Sequence, residues 1–512
     1  MKNSLVCVLV ASVLIAACKK DKNETPDGDA SVYIKSSSVS VNPSGFAPLS
    51  AIIALETSIN TKVSIKVTGK HGSNSDVIKE FDQISTSHSI PVLGLYAAHS
   101  NDVELMLFDE TGKNLGTTNI IIPTDPLIPD MPQITIDVPP ATDQSNMTLV
   151  SYLGAPPQSG LPHNPFIFDD FGEIRWYVDF TSSAVLNKLN IQDGAELLAN
   201  GNLYFGDLRT NAIYEIDMFG NILNTWSLSN TEYTFHHQVL EKPNGNFLIT
   251  VNKTGTGTIE DHVIEISRTT GEVVKVWDFR QSLQTNRTAW TTNSENWLHM
   301  NALEYDSTDD CLIISGRVQG VAKVDAGNNV KWIVAPHRGW GIAGNGVDLK
   351  TKLLQPLDAK GDPITIPAVL DGAENHPDFE WNWYQHAPKK MKDGGLLLFD
   401  NGDTRNYKTD SLYSRIVKYR IDETAMTIQQ EWHYGKERGL ETYASFVSDA
   451  DFNEQSGNFI FSPGAVNDDG PRHGKIVEIN ASTSEVVFEA TITPPQTARV
   501  TFHRTERIKL YR

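Results

Sequence analysis

Asn200-Gly201-Asn202-Leu203-Tyr204-Phe205, followed by Tyr214-Glu215-Ile216-Asp217, Gly220 and Trp226, decides the fold because the chain repeats it. Asn244-Gly245-Asn246-Phe247-Leu248-Ile249 leads in the same order to Val263-Ile264-Glu265-Ile266, Gly271 and Trp277. Later copies run from Cys311-Leu312-Ile313-Ile314 to Trp332, and from Asp393-Gly394-Gly395-Leu396-Leu397-Leu398 to Trp432. Another runs from Gly457-Asn458-Phe459-Ile460-Phe461 to Ile476-Val477-Glu478-Ile479, and Phe166 to Trp176 forms an earlier partial copy. Each unit reads as four short strands, with period-2 alternation that excludes a helical solenoid. The pattern predicts a six-bladed β-propeller over residues 142–512. The C-terminal run Arg499-Val500-Thr501-Phe502, with Ile508-Lys509-Leu510-Tyr511, is placed to complete the first blade and close the ring. An open β-solenoid would leave exposed edges.

Working outward, residues 31–125 alternate polar and apolar positions in short runs such as Val63-Ser64-Ile65-Lys66-Val67. They predict a β-sandwich of immunoglobulin-like type, so the chain is all-β. The Pro-rich residues 126–141 read as a stiff linker. At the other end, Leu5 to Ala17 is apolar but too short for a mature membrane span. Small residues directly before Cys18 make residues 1–18 a lipoprotein signal peptide in which Cys18 is lipidated. The polar residues 19–30 then form a flexible tether. The expected location is exported and lipid-anchored, on the periplasmic face or the outer-membrane surface, with membrane association through the anchor alone.

A net charge of -20 argues against a nucleic-acid partner, because no basic surface can replace phosphate counterions. A small anion, by contrast, responds to a local cluster of Arg, Lys and His. Of three cysteines, Cys7 leaves with the signal and Cys18 carries lipid, so Cys311 remains alone, in an apolar run, as a buried thiol. The composition leaves the oligomeric state open.

A propeller brings equivalent positions of every blade to one mouth of its channel. Four copies carry polar residues just before the innermost strand: His236-His237-Gln238, His299-Met300-Asn301, Gln385-His386 and Ser448-Asp449. An antiparallel hairpin turning at Ser307-Thr308-Asp309 sets Arg317 opposite His299. The same arithmetic puts Lys253 near His237 and Asn401 near His386. Such a mouth holds imidazoles, Asn301 and a guanidinium, which suits a tetrahedral oxyanion that a neutral imidazole can attack. Clustered imidazoles also bind zinc or copper, but Arg317 and Lys253 count against a metal, and no cofactor is called for. His163, His376 and His433 fall outside the pattern and read as structural or surface residues.

With these residues in place, the chain resembles the bacterial aryl-sulfate sulfotransferases over nearly all its mature length. The resemblance lies in Val41 to Ala51, Leu93-Gly94-Leu95-Tyr96, Phe235-His236-His237, Trp297-Leu298-His299-Met300-Asn301 and Ser315-Gly316-Arg317. It continues in Gln385-His386, Phe399-Asp400-Asn401-Gly402 and Trp432 to Gly439. It implies transfer of a sulfuryl group, independent of PAPS, from a phenolic sulfate donor to a phenol acceptor. It also implies a histidine nucleophile at His386 that forms a sulfohistidine. His299, Asn301 and Arg317 match the family's sulfuryl-binding residues, and either His236 or His237 matches a further site histidine. Where the family often has Thr, this chain offers Ser445, Val447 and Ser448, of which Ser448 is carried as substrate-binding. The disulfide of some members has no counterpart here. The alternatives to this reading are a sulfatase-like or metal-dependent propeller hydrolase or lyase, and a non-catalytic surface binding protein.

The anchoring expectation has a direct check. Cys18→Ser should shift the protein from the membrane fraction to the soluble fraction of fractionated cells.

Overall fold

The computed structural model describes residues 28–129, 131–140, 147–152, 164–287, 293–410, 412–467, 471–495 and 501–511. Cys18, the tether up to residue 27 and His163 lie outside the described residues.

The N-terminal domain joins five strands in one hydrogen-bonded sheet: Ile34–Val41, Ser50–Val67, Val77–Leu93, Ser100–Phe108 and Asn114–Pro123. Ser50–Val67 pairs with Val77–Leu93 along its length, but with Ile34–Val41 over its first half and Ser100–Phe108 over its second. Register shifts between Glu56 and Val63 mark the change of partner. Alternate residues Ala51, Ile53, Val63 and Ile65 are buried, the period-2 pattern of a half-buried strand. The domain is knit to the rest through buried Arg175, which donates to the Gly94 carbonyl at 2.9 Å and the Tyr96 hydroxyl at 2.9 Å while pairing with Asp169 at 2.7 Å.

Beyond it the chain is propeller-like, with six sheets of at least four strands among the described residues, antiparallel except where Gln355–Leu357 runs parallel to Thr427–Tyr434. Each begins innermost, at Glu196–Leu197, Tyr233–Glu241, Met300–Asp306, His386–Lys390, Asp449–Asn453 or Phe502–Ile508. The last of these pairs with Met147–Tyr152, so the two ends of the repeat region share one sheet. Innermost strands lie against one another in sequence from Tyr233–Glu241 to Phe502–Ile508. A cavity of about 250 Å³ is lined by Thr505, Glu196, Gln238, Glu304, Lys389 and Asp451, one from the innermost strand of each sheet.

The Asn-Gly-Asn turns have a local cause. Gly201 and Gly245 both sit at a φ of 85°, which only glycine adopts without strain. The second Asn then reaches the next strand: Asn202 donates to Glu215 at 2.7 Å and Asn246 to Glu265 at 2.7 Å. The recurrent tryptophans join one sheet to the next. Nε1 of Trp176, Trp226 and Trp277 donates to the carbonyls of Met218, Arg268 and Asp325 in the turn of the following sheet, at 2.7, 2.7 and 3.0 Å. Trp332 and Trp432 do the same to the side chains of Glu423 and Ser484.

Two expectations need correcting. Residues 126–141 are not all linker: Gln133–Val138 forms a strand on the outer edge of the Asp449–Asn453 sheet, where Val486–Thr493 offers it an open ladder. Lys253 does not approach His237. It pairs with Tyr233 and forms an ion pair with Glu232 at 3.0 Å. The cause is a bulge: Phe235 pairs with Val251 and Val239 with Ile249, so His236, His237 and Gln238 face the single residue Thr250.

Trp277 is almost wholly buried, at 1% exposure. Trp277→Ala should lower stability by about 3–5 kcal/mol, read from the urea midpoint. Trp277→Phe, which keeps a ring and loses the inter-sheet hydrogen bond, should cost less.

Candidate functional site

Four imidazoles meet at one end of the innermost strands, and irregular backbone aims them there. The registers shift beside His237, His299, His386 and His503. His237, His299 and Ala387 take φ values of 48°, 49° and 48°, each costing on the order of 1–2 kcal/mol outside glycine. The His237 ring lies 5.5 Å from His299 and 6.1 Å from His503, and His503 lies 5.6 Å from His386. His236 sits behind His237, with an Nδ1 to Nδ1 distance of 3.0 Å. The structure therefore turns His237, rather than His236, toward the other three rings.

Burial holds His236, His237, His386 and His503 neutral. It pushes His236 down to about 4 and His237 to about 3, and holds His386 and His503 well below the usual range. For His386 the Arg317 guanidinium adds to burial in the same direction. Arg317 stands beside His299, where its backbone N–H donates to the His299 carbonyl at 3.0 Å. It lies 4.9 Å over the Tyr384 ring and makes no ion pair among the described residues. Its charge is mostly buried, and that burial pulls its pKa down against the opposing effect of Tyr384, Asp403 and Glu260.

Asn301 and Ser448 each have backbone partners within the protein. Asn301 is buried and gives one amide hydrogen to the Gln385 carbonyl at 2.9 Å, so it braces the segment carrying His386. The Ser448 hydroxyl accepts from the Gly464 N–H at 3.0 Å and lies 3.4 Å from the Phe446 carbonyl. His386 Nδ1 is 2.7 Å from Asn401 Oδ1, where the hairpin spacing sets it. His433 is an outer-strand residue and His376 closes a short turn with Phe379, both away from the cluster.

Two members had no place in the sequence reading. His503 arrives on the C-terminal strand, with Nδ1 3.6 Å from Asp193. Its signal was present, since Thr501-Phe502-His503-Arg504 copies Thr234-Phe235-His236-His237. Glu260 comes from the connection between Phe247–Lys253 and His262–Ile266 and places Oε2 3.0 Å from His299 Nδ1, where Asn296 Nδ2 also sits, 2.9 Å from the carboxylate. Burial alone would raise Glu260, but the bond to His299 and the neighbouring imidazoles outweigh it and hold it well below the carboxylate range. Ligand atoms of His237, Glu260 and His299 lie within 4.8 Å of one another, a spacing that could hold a divalent cation. Arg317, close enough to act on both His237 and Glu260, opposes one there.

Residues 138–502 match the model of the Arylsulfotransferase (ASST) family, and residues 38–125 that of the Arylsulfotransferase Ig-like domain. The chain belongs to the arylsulfotransferase family. It is 29% identical to arylsulfate sulfotransferase AssT of Escherichia coli O6:H1, over 89% of this chain and 90% of that one. It is also 29% identical to arylsulfate sulfotransferase AssT of Lelliottia amnigena, over 90% of each. A catalytically inactive virginiamycin B lyase from Staphylococcus aureus, at 11% identity, covers 71% of this chain and 90% of its own, but its TM-score of 0.35 is too low to bear on function.

The neutral imidazoles of this arylsulfotransferase family member give a pH signature. The unfolded chain takes up protons near the ordinary histidine pKa of about 6.5, while folded His236 does so only near 4. Stability should be unaffected by His236 above about pH 6.5 and fall as pH drops from about 6.5 toward 4, by up to about 1.4 kcal/mol per pH unit for each such ring. Unfolding midpoints at pH 7 and pH 5 should show the fall, and His236→Asn should reduce it.

Proposed function

We propose that this protein transfers a sulfuryl group from a phenolic sulfate ester to a phenol acceptor by a ping-pong route, with His386 as the nucleophile. The observation that carries the reading is the mostly buried Arg317 charge, without an ion pair among the described residues, beside His237, His299, His386 and His503 drawn from four sheets. A buried cation without a counter-ion favours an anionic ligand. The neutral rings of His237, His386 and His503 can donate to sulfuryl oxygens, and one can attack sulfur. Sulfuryl transfer resembles phosphoryl transfer, in which a loose transition state demands positioning and cationic stabilisation. Arg317 supplies the charge, while His299, paired with Glu260, and His237 face the same space. The donor and acceptor are small phenolics, and no nucleic acid, cofactor or PAPS takes part. The enzyme works outside the cytoplasm, held to a membrane by acyl chains on Cys18. No helix among the described residues is long and apolar enough to cross a membrane.

The spacing of His237, Glu260 and His299 favours one rival, a metal-dependent hydrolase. That reading requires turnover without acceptor and loss of activity on chelation.

With a chromogenic aryl sulfate and no acceptor, the enzyme should release one equivalent of phenol in a burst, and steady turnover should need added phenol. His386→Asn should abolish the burst and the acid-labile sulfuryl label on its peptide. A labelled His299 in an active His386→Asn variant would move the nucleophile. Arg317→Lys keeps the charge but loses the planar fork, and turnover should fall at least tenfold with folding intact.

A further inference from the structure

We propose that Asn401 is a positioning residue that decides which nitrogen of His386 carries the proton, leaving Nε2 as the lone pair that attacks sulfur. The inference rests on the reading of His386 as nucleophile. Asn401 is fully buried, directly after the strand Leu396–Asp400. Its amide nitrogen has two hydrogens and two acceptors, the Ala444 carbonyl at 2.7 Å and the Val447 carbonyl at 3.1 Å. Turning the amide over would set its oxygen against both carbonyl oxygens, so its orientation is determined by its partners. The Asn401 oxygen therefore faces His386 Nδ1 at 2.7 Å, and that oxygen can only accept. A neutral imidazole has one N–H, and an acceptor at Nδ1 claims it, so Nε2 is bare. The anchor is itself braced: the Ser414 hydroxyl donates to the Asn401 carbonyl at 2.7 Å and accepts from the Ala444 N–H at 2.9 Å.

In the first half-reaction the Nε2 lone pair forms the bond to sulfur, and the sulfur–oxygen bond to the donor breaks with its electron pair on the departing phenolate. The Nδ1 proton stays in place, and the ring gains positive charge next to the Asn401 oxygen, which stabilises it. In the second, the acceptor phenol oxygen bonds to sulfur and gives up its proton to a base of the site. The nitrogen–sulfur pair then returns to Nε2. An amide suits this cycle better than a carboxylate, which would favour protons on both nitrogens and remove the nucleophile.

The charged and titratable groups that act on His386 are Arg317, His237, His299 and His503, and with burial they keep the wild-type ring neutral into mild acid. An anion at position 401 opposes all of them. Asn401→Asp should therefore lose most activity at neutral pH and recover it as pH rises through the raised His386 pKa. Asn401→Ala should lose about 10–100-fold in kcat, the range for removing a hydrogen-bond partner that orients a histidine. Its donor KM should barely move and its acid limb should stay in place. Nitrogen NMR of the histidine-labelled wild-type protein, with His386 assigned by its absence in His386→Asn, should show Nδ1 protonated and Nε2 bare. That measurement needs neither turnover nor a folded Asn401 variant. A resting His386 protonated at Nε2 overturns the proposal, as do folded Asn401→Asp and Asn401→Ala variants with the same pH profile. Should His386→Asn keep the burst, the nucleophile assignment fails, while the NMR result still decides the role of Asn401.

Discussion

Everything in the larger part of this chain depends on six innermost strands being held about one cavity, and the indole hydrogen bonds between sheets supply much of that constraint. A sheet of four short strands buries too little on its own to be stable. Trp176, Trp226, Trp277, Trp332 and Trp432 each pack on one sheet and donate to the next, so both the apolar area and the one polar atom of the ring are used between neighbours. Because successive sheets are tied edge to turn, the angle between them is set far from the axis, where small errors matter least. The inner ends then meet closely enough for rings from four sheets to stand 5.5 to 6.1 Å apart.

That constraint also explains how strained backbone persists at the site. His237, His299 and Ala387 are held left-handed by ladders on both sides of each bulge, and the surrounding hydrogen bonds outweigh the local cost. The bulges turn side chains along the axis that a regular strand would direct into its own sheet or its neighbour. Burial then withholds protons from His237, His386 and His503, and Arg317 adds a permanent positive charge beside His237 and His386. The arrangement is electrostatically incomplete without an anion. Glu260, beside His299, offsets part of that charge on one side only.

The sequence by itself determined the all-β class, the repeat unit and the phase of the site residues, because each rests on neighbours within one or two hairpins. Asn-Gly-Asn turns, a buried Glu on the next strand and a Trp on the last are all local. Arg317 beside His299 and Asn401 beside His386 could be counted from hairpin spacing. The count failed for Lys253, since a three-against-one bulge at His236 to Gln238 is a response to the crowded axis and leaves no mark in composition. His503 was marked in the sequence by its Thr-Phe-His copy, but its place in the site depends on a sheet built from both ends of the repeat region. Only the tertiary structure brought in Glu260 and gave Asn301 and Ser448 their backbone partners. Hydrogen bonds across sheets depend on how the sheets are set against each other, and that is fixed by packing over the whole chain.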